Sequence, residues 1–296
     1  MKFILIVLLV SLMSCKTEPQ PKSKLVTDAQ SRELSEAFKS YWYDGKAELT
    51  SYDLEFYRYG EKRNGKAVLI FVTEDFRKDT QVKASSKSEQ TVSVIKLNST
   101  KKFNTGIYPY SIMQSAFLPL EYHSPALKLT SSVQEWCGQS YAQINHRERF
   151  EIETHSYFEG EADSKFKIQP LVTEKEIWTR LRINPKSLIL GKQKILPDLS
   201  YLQLNHKEVA GYTAEIKQMQ GDDLETKIEY ENLGRIVTIY QNKRFPFTIE
   251  KWEEIEIKGK DTLVSTAKKI TRLKTKYWEQ NSSNYLHLRD SLGLWI

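Results

Sequence analysis

The chain has 296 residues, of which 40% are hydrophobic, 11% aromatic and 28% charged, with a formal net charge of +6 and two cysteines. That composition excludes a disordered or collagen-like chain and a disulfide-stapled miniprotein, and describes a globular, sheet-rich protein. The basic excess is dispersed rather than blocked, which argues against nucleic acid as a partner.

The first residues, "MKFILIVLLVSLMSC", place one lysine before the apolar run Phe3 to Leu12 and small residues before Cys15, the layout of a secretory signal. Ten apolar residues span about 15 Å as a helix, whereas crossing a bilayer takes about 20 residues. At Leu12-Met13-Ser14-Cys15 the chain resembles bacterial lipoproteins with their lipobox. The resemblance implies cleavage after residue 14, acylation of Cys15 and attachment to the cell envelope. "KTEPQPKSKLVT" then has almost nothing to bury and reads as a tether over residues 15–27, leaving 28–296 as a β-rich globular region. With Cys15 lipidated, Cys137 has no partner within the chain and the fold rests on its core.

In chain order, Leu34, Phe38 and Trp42 recur at helical spacing behind Asp28, a plausible N-cap, and predict one amphipathic helix. The period then changes to two. Leu49–Tyr59 and Ala67–Val72 read as a hairpin whose loop runs from Gly60 to Gly65. Further strands are predicted at Thr91–Leu97, Leu127–Trp136, Ser140–Ile144 and Phe150–Phe158. "TEKEIWTRLRINP" carries Thr173 as cap, Glu176 three residues on and Pro185 as stop, so it predicts a helix. "NPKSLILGKQKILPDLS" reads as a connection, with a seam near 185–205 as the candidate boundary between two subdomains. The last hundred residues return to period two as an antiparallel meander. The fold expected is mainly β, a curved antiparallel sheet or half-barrel with a few helices.

Four features invite a chemical reading. Ser140 in "GQSYA" falls short of a G-x-S-x-G elbow, since its flanks read as strands. Glu135, Cys137 and His155 are weak candidates for thiol chemistry; the expectation is instead that Cys137 packs against the core, with Gly138 permitting the turn. Glu153, His155 and Glu159 in "RERFEIETHSYFEGEAD" are weak metal candidates, but period two makes this row a polar sheet face. Phe103, Tyr108, Tyr110, Met113 and Phe117, punctuated by Gly106, Pro109 and Pro119, read either as the mouth of a cleft for an apolar ligand or as a loop folded over the core. Nothing predicts a cofactor: nucleotide motifs and metal spacings such as HExxH are absent. The row Arg272, Lys274 and Lys276 would share one strand face, meeting lipid headgroups or solvent.

The pieces "FNTGIYPYSIMQS", "VQEWCG", "HSYFEGEAD" and "LRINPKSL" resemble a group of uncharacterised Bacteroidota lipoproteins often labelled septum formation inhibitor Maf. The resemblance implies residence in the outer membrane. The Maf pyrophosphatase loop S-x-S-P-R-R has no counterpart here: Ser124-Pro125 is followed by Ala126, and no catalytic residue carries over. The functional expectation is a lipid-anchored envelope binding protein without enzymatic activity, holding an apolar ligand or envelope partner and facing the periplasm. The alternatives are an envelope hydrolase using the Cys137/His155 neighbourhood, or a scaffold subunit of an envelope assembly.

Overall fold

A computed structural model describes residues 31–294, so the signal, Cys15, the tether and Asp28 lie outside the described residues. Helix α1 (Glu36–Trp42) is capped by Ser35, whose hydroxyl accepts from the Phe38 N–H, and it buries Phe38 and Trp42. Eight strands follow: β1 (Ala47–Arg58), β2 (Glu61–Arg77), β3 (Thr91–Thr105), β4 (Tyr108–Pro119), β5 (Lys128–Glu135), β6 (Gly138–His146), β7 (Phe150–Ser156) and β8 (Ser164–Ile168). Next come β9 (Val172–Thr173), α2 (Glu174–Ile183), β10 (Gly191–Leu196) and α3 (Leu199–Leu204). The meander β11 (Tyr212–Gln220), β12 (Leu224–Tyr230), β13 (Arg235–Gln241), β14 (Ile249–Lys258) and β15 (Asp261–Thr275) precedes a short α4 (His287–Ser291).

All fifteen strands belong to one sheet, ordered β8-β7-β6-β5-β4-β3-β2-β1-β15-β14-β13-β12-β11-β10-β9. β1 pairs with β15 and joins the two halves; the sole parallel pair among the described strands is β9 with β10. β8 and β9 do not pair, so the sheet stays open. It is nonetheless strongly curled. Lys101 on β3 forms an ion pair with Glu254 on β14, four strands away in sheet order. On a flat sheet four steps of about 4.8 Å put these strands about 19 Å apart, beyond the reach of a lysine and a glutamate.

The concave side holds the main core, with Tyr52, Leu54, Phe71, Leu97, Ile112, Ile228, Val237 and Trp252 converging on Ile177, Trp178 and Leu181 of α2. α2 begins as the capping pattern predicts: the Glu176 N–H donates to Thr173 Oγ1 at 3.2 Å. α3 is capped by Asp198, whose carboxylate accepts from the N–H groups of Ser200 and Tyr201. On the opposite face, Leu292 after α4 covers Ala47, Leu49 and Val72.

Three local expectations are corrected. The β1–β2 loop is a two-residue turn, Tyr59-Gly60, with φ of 56° and 75°; the strands simply run longer than the apolar pattern. Gly65 lies inside β2, where a Cβ would sit 2.1 Å from the Lys102 carbonyl oxygen. The stretch 185–205, read as connection, contains β10 and α3. The third correction concerns "YPYSIMQSAFLP", which is the regular strand β4; Pro109 and Pro119 sit at its two ends, where a missing N–H is tolerated.

Because neighbouring strands run antiparallel, alternate connections share one end of the sheet. The turns Tyr59-Gly60, Gly106-Ile107, Trp136-Cys137, 157–163 and Gly259-Lys260 therefore form one rim. The chain enters at the opposite end, where Ser31 bridges Tyr122 and the Arg32 N–H donates to the Glu121 carbonyl at 2.8 Å.

Candidate binding rim and outer-face hollow

The five residues expected at a ligand mouth are divided by the period of β4. Phe103 and Tyr110 are buried on the concave side, their rings stacked at 4.9 Å and 8°. Tyr108 lies beside Tyr110 and stacks on Trp136 at 6.3 Å. Met113 and Phe117 face the other way: Met113 is exposed and Phe117 packs on Phe76 at 5.0 Å. At this segment the concave side is filled by the chain's own side chains. A cavity of about 40 Å³ remains, bordered by Phe56, Tyr201, Lys101 and Glu254. That is room for one or a few waters.

Inside the curve lies an ionic network that hydrophobic patterning does not predict. Arg235 bonds Glu174 at 2.9 Å and Glu254 at 3.1 Å, and Glu254 also pairs with Lys101. Tyr230 Oη donates to Glu174 at 2.8 Å, and the Arg235 guanidinium lies 4.2 Å from the centre of the Tyr201 ring. Lys175 pairs with Asp198 at 2.8 Å, and Gln114 donates to the same carboxylate at 2.7 Å. Burial alone would raise the Glu254 carboxyl, but Lys101 and Arg235 bring it down to about 2. Such groups persist in a core because each charge meets a partner. Nearer the chain's entry, Arg182 makes a bidentate pair with Glu48 at 2.7 and 2.9 Å.

Among the exposed large hydrophobic side chains of the described residues, which elsewhere include Ile189 and Leu286, four lie on the rim. Tyr59 is 58% exposed, Ile107 83%, Trp136 69% and Tyr157 77%, one on each of four successive hairpin turns. The Tyr59 turn is anchored from below: Arg58 donates to the Leu204 carbonyl at the end of α3 at 2.8 Å, and the Tyr59 and Tyr110 hydroxyls lie 2.8 Å apart. Cys137 is on this rim and exposed, contrary to the expectation of core packing. It is the second residue of the two-residue β5–β6 turn, and its N–H donates to Glu135 Oε2 at 2.7 Å. Gly138 matters through close approach rather than turn geometry, since a Cβ there would lie 3.0 Å from the Tyr157 ring.

His155 lies on the outer face of β7, its Nε2 3.2 Å from Glu153 and its Nδ1 3.2 Å from Asp163. Both ring nitrogens therefore face carboxylates of their own hairpin rather than the thiol. Register pairs Tyr141 with His155 and Ser140 with Ser156, so Ser140 and His155 point to opposite faces of the sheet. Glu153 is shared with Lys165 at 2.9 Å, and the Lys165 hydrogen bond holds its carboxyl below the usual range. Glu159 sits in the following turn, exposed. Among the described residues no group of three or more His, Cys, Asp or Glu is arranged to hold a metal ion. The basic row is answered within the chain: Arg272 lies 3.7 Å from Glu48, Lys274 2.8 Å from Asp44 and Lys276 3.4 Å from Glu279.

Next to the rim, the outer face of β5–β7 forms an open hollow of about 320 Å³ bordered by Gln134, Gln139, Tyr141, His155, Tyr157 and Asp163. Period two hid this feature in the sequence, because its members lie on three strands and one turn. The one available signal was Tyr141 set at period two between Gln139 and Gln143 in "GQSYAQIN".

No family model matches the chain, and no curated protein matches it. A solved structure, a β-barrel-like protein of a domain of unknown function from Brucella abortus, is similar at 7% identity. The match covers 83% of this chain and 100% of that one, with a TM-score of 0.47.

Proposed function

We propose that this chain is a lipid-anchored binding module of the cell envelope, without catalytic chemistry of its own, that takes an apolar ligand or envelope partner at the hairpin rim. The observation that carries this reading is the concentration of Tyr59, Ile107, Trp136 and Tyr157 on four neighbouring turns. Scattered exposed apolar residues are ordinary, whereas a contiguous set marks an interaction surface. Aromatic side chains suit such a surface, since they bring large area at low entropic cost.

The lipobox at Leu12–Cys15 and the resemblance to Bacteroidota lipoproteins support anchoring in the outer membrane on its periplasmic side. Entry of the chain at the end opposite the rim fits that orientation, because a base tethered through Cys15 leaves the rim turned outward. The test is site-specific photo-crosslinking in intact cells. Probes at Ile107 and Trp136 are expected to give one common adduct that a probe at Lys227, mid-strand on β12 in the other half of the sheet, does not give. Equal adducts from all three positions, or none, would remove the rim from the account.

A further inference from the structure

We propose that the hollow on the outer face of β5–β7 is a carbohydrate site for a short neutral oligosaccharide. It goes beyond the rim reading and stands without it: Tyr157 and Asp163 come from the 157–163 turn, but Ser132, Gln134, Gln139, Tyr141 and His155 project from the face of β5–β7.

Strand register lays those side chains out in two rows. Ser111, Gln134 and Gln139 lie opposite one another across β4, β5 and β6, and the Tyr157 N–H continues the row by donating to the Gln139 carbonyl at 3.3 Å. Met113, Ser132, Tyr141 and His155 make the second row across four strands. Neighbouring strands are about 4.8 Å apart, so each row is a strip, which suits a chain of rings better than one compact molecule.

A sugar ring has C–H faces that lie against aromatic rings and a belt of hydroxyls that each donate and accept. The hollow supplies both. Tyr141 and Tyr157, 36% and 77% exposed, both border the hollow. Tyr141 is preset: its ring stacks on His155 at 6.4 Å and 27°, and its hydroxyl donates to Gln143 at 2.9 Å. The amides of Gln134 and Gln139 and the Ser132 hydroxyl both donate and accept. Among the described residues these three side chains make no hydrogen bond to one another or to the rest of the chain. Asp163 closes one end with a carboxylate held 3.2 Å from His155 Nδ1. Among the described residues no lysine or arginine borders the hollow, which disfavours phosphorylated or acidic ligands, and its many polar groups disfavour an acyl chain. At about 320 Å³ it is at the small end of ligand sites, as a short oligosaccharide requires.

The experiment is calorimetric titration of the full chain, purified in a non-glycosidic detergent, with N-acetylglucosamine trimer, cellotriose and maltotriose, each up to about 10 mM to include weak binding. At least one is expected to bind, and Tyr141→Ala and Gln139→Ala are each expected to weaken it by about tenfold or more. Ile107→Ser, on the rim, is expected to leave it unchanged. Circular dichroism and melting of each variant confirm that it folds, and Gln139→Ala, at an exposed position, keeps the test valid should Tyr141→Ala not fold. Binding of none of the three sugars, or binding that survives the Tyr141→Ala/Gln139→Ala double substitution, overturns the proposal. Loss of the Ile107 cross-link with sugar binding intact would remove only the rim reading.

Discussion

Replacing Arg182 with alanine is expected to be among the most damaging single changes in this protein. The side chain is 1% exposed, bonds both oxygens of the fully buried Glu48 carboxylate, and donates through Nε to the Pro246 carbonyl at 3.0 Å. Its guanidinium also lies 4.7 Å from the centre of the Phe71 ring. Removing one member of a buried pair costs about 3–5 kcal/mol because the other charge is left unanswered. Here Arg272, 3.7 Å away, and the Tyr41 hydroxyl still face Glu48, which places the expected loss near 3 kcal/mol, the low end of that range. For a chain of this size that is a fall in Tm of about 5 °C.

The pH dependence gives a second readout of the same pair. Burial pushes the Glu48 carboxyl up, but Arg182 and Tyr41 outweigh it and hold it below its ordinary value. A depressed carboxylate contributes stability that is present above its unfolded value, about 4.3, and is lost as pH falls through its folded value. Without Arg182 the carboxyl protonates readily, so the gap between wild type and Arg182→Ala should narrow from pH 7 towards pH 4. Urea unfolding at both pH values measures this, together with the double variant Glu48→Gln/Arg182→Met, which should cost less than the sum of the single changes. A loss under about 1 kcal/mol, or strict additivity of the two substitutions, would refute the account of a mutually dependent buried pair.

Other expectations are more local. Cys137 should react with a maleimide in the folded protein, and Cys137→Ser should change stability by no more than about 0.5 kcal/mol; a thiol that needs denaturant to react would contradict its exposed place in the turn. Gly65→Ala should cost about 2–3 kcal/mol, since a Cβ meets the Lys102 carbonyl oxygen at 2.1 Å and backbone must move; thermal melting is the check. Metabolic labelling with an alkynyl fatty acid should mark the wild-type chain and not Cys15→Ser, and equal labelling of both would end the anchored reading.

Local period made much of the fold legible. In β1, β5, β7 and the meander β11–β15 the alternation of inward and outward residues is carried by neighbours in the sequence, so each strand announces itself. The cap of α2 was equally readable, because Thr173 and Glu176 satisfy one another within one turn. β10 and α3 were not, since two six-residue elements, one opening on Gly191 and the two separated by Pro197-Asp198, leave too short a pattern to separate from a loop. Of the candidate site, sequence spacing correctly made the Glu151, Glu153 and His155 row a polar face, yet it grouped Phe103 and Tyr110 with Met113 and Phe117, which the pleat sends to opposite sides.

What the sequence determined by itself is therefore most of the strands, the cap of α2 and, through Leu12–Cys15, the expected address. The tertiary structure alone decided which charges are interior. Glu174, Lys175, Glu176 and Arg182 look like the solvated face of α2, but the curl of the sheet closes over them and supplies Glu48, Asp198 and Arg235 from 24 to 134 residues away. The rim and the hollow are decided in the same way. Their members come from different hairpins, and antiparallel register rather than any local motif sets them side by side.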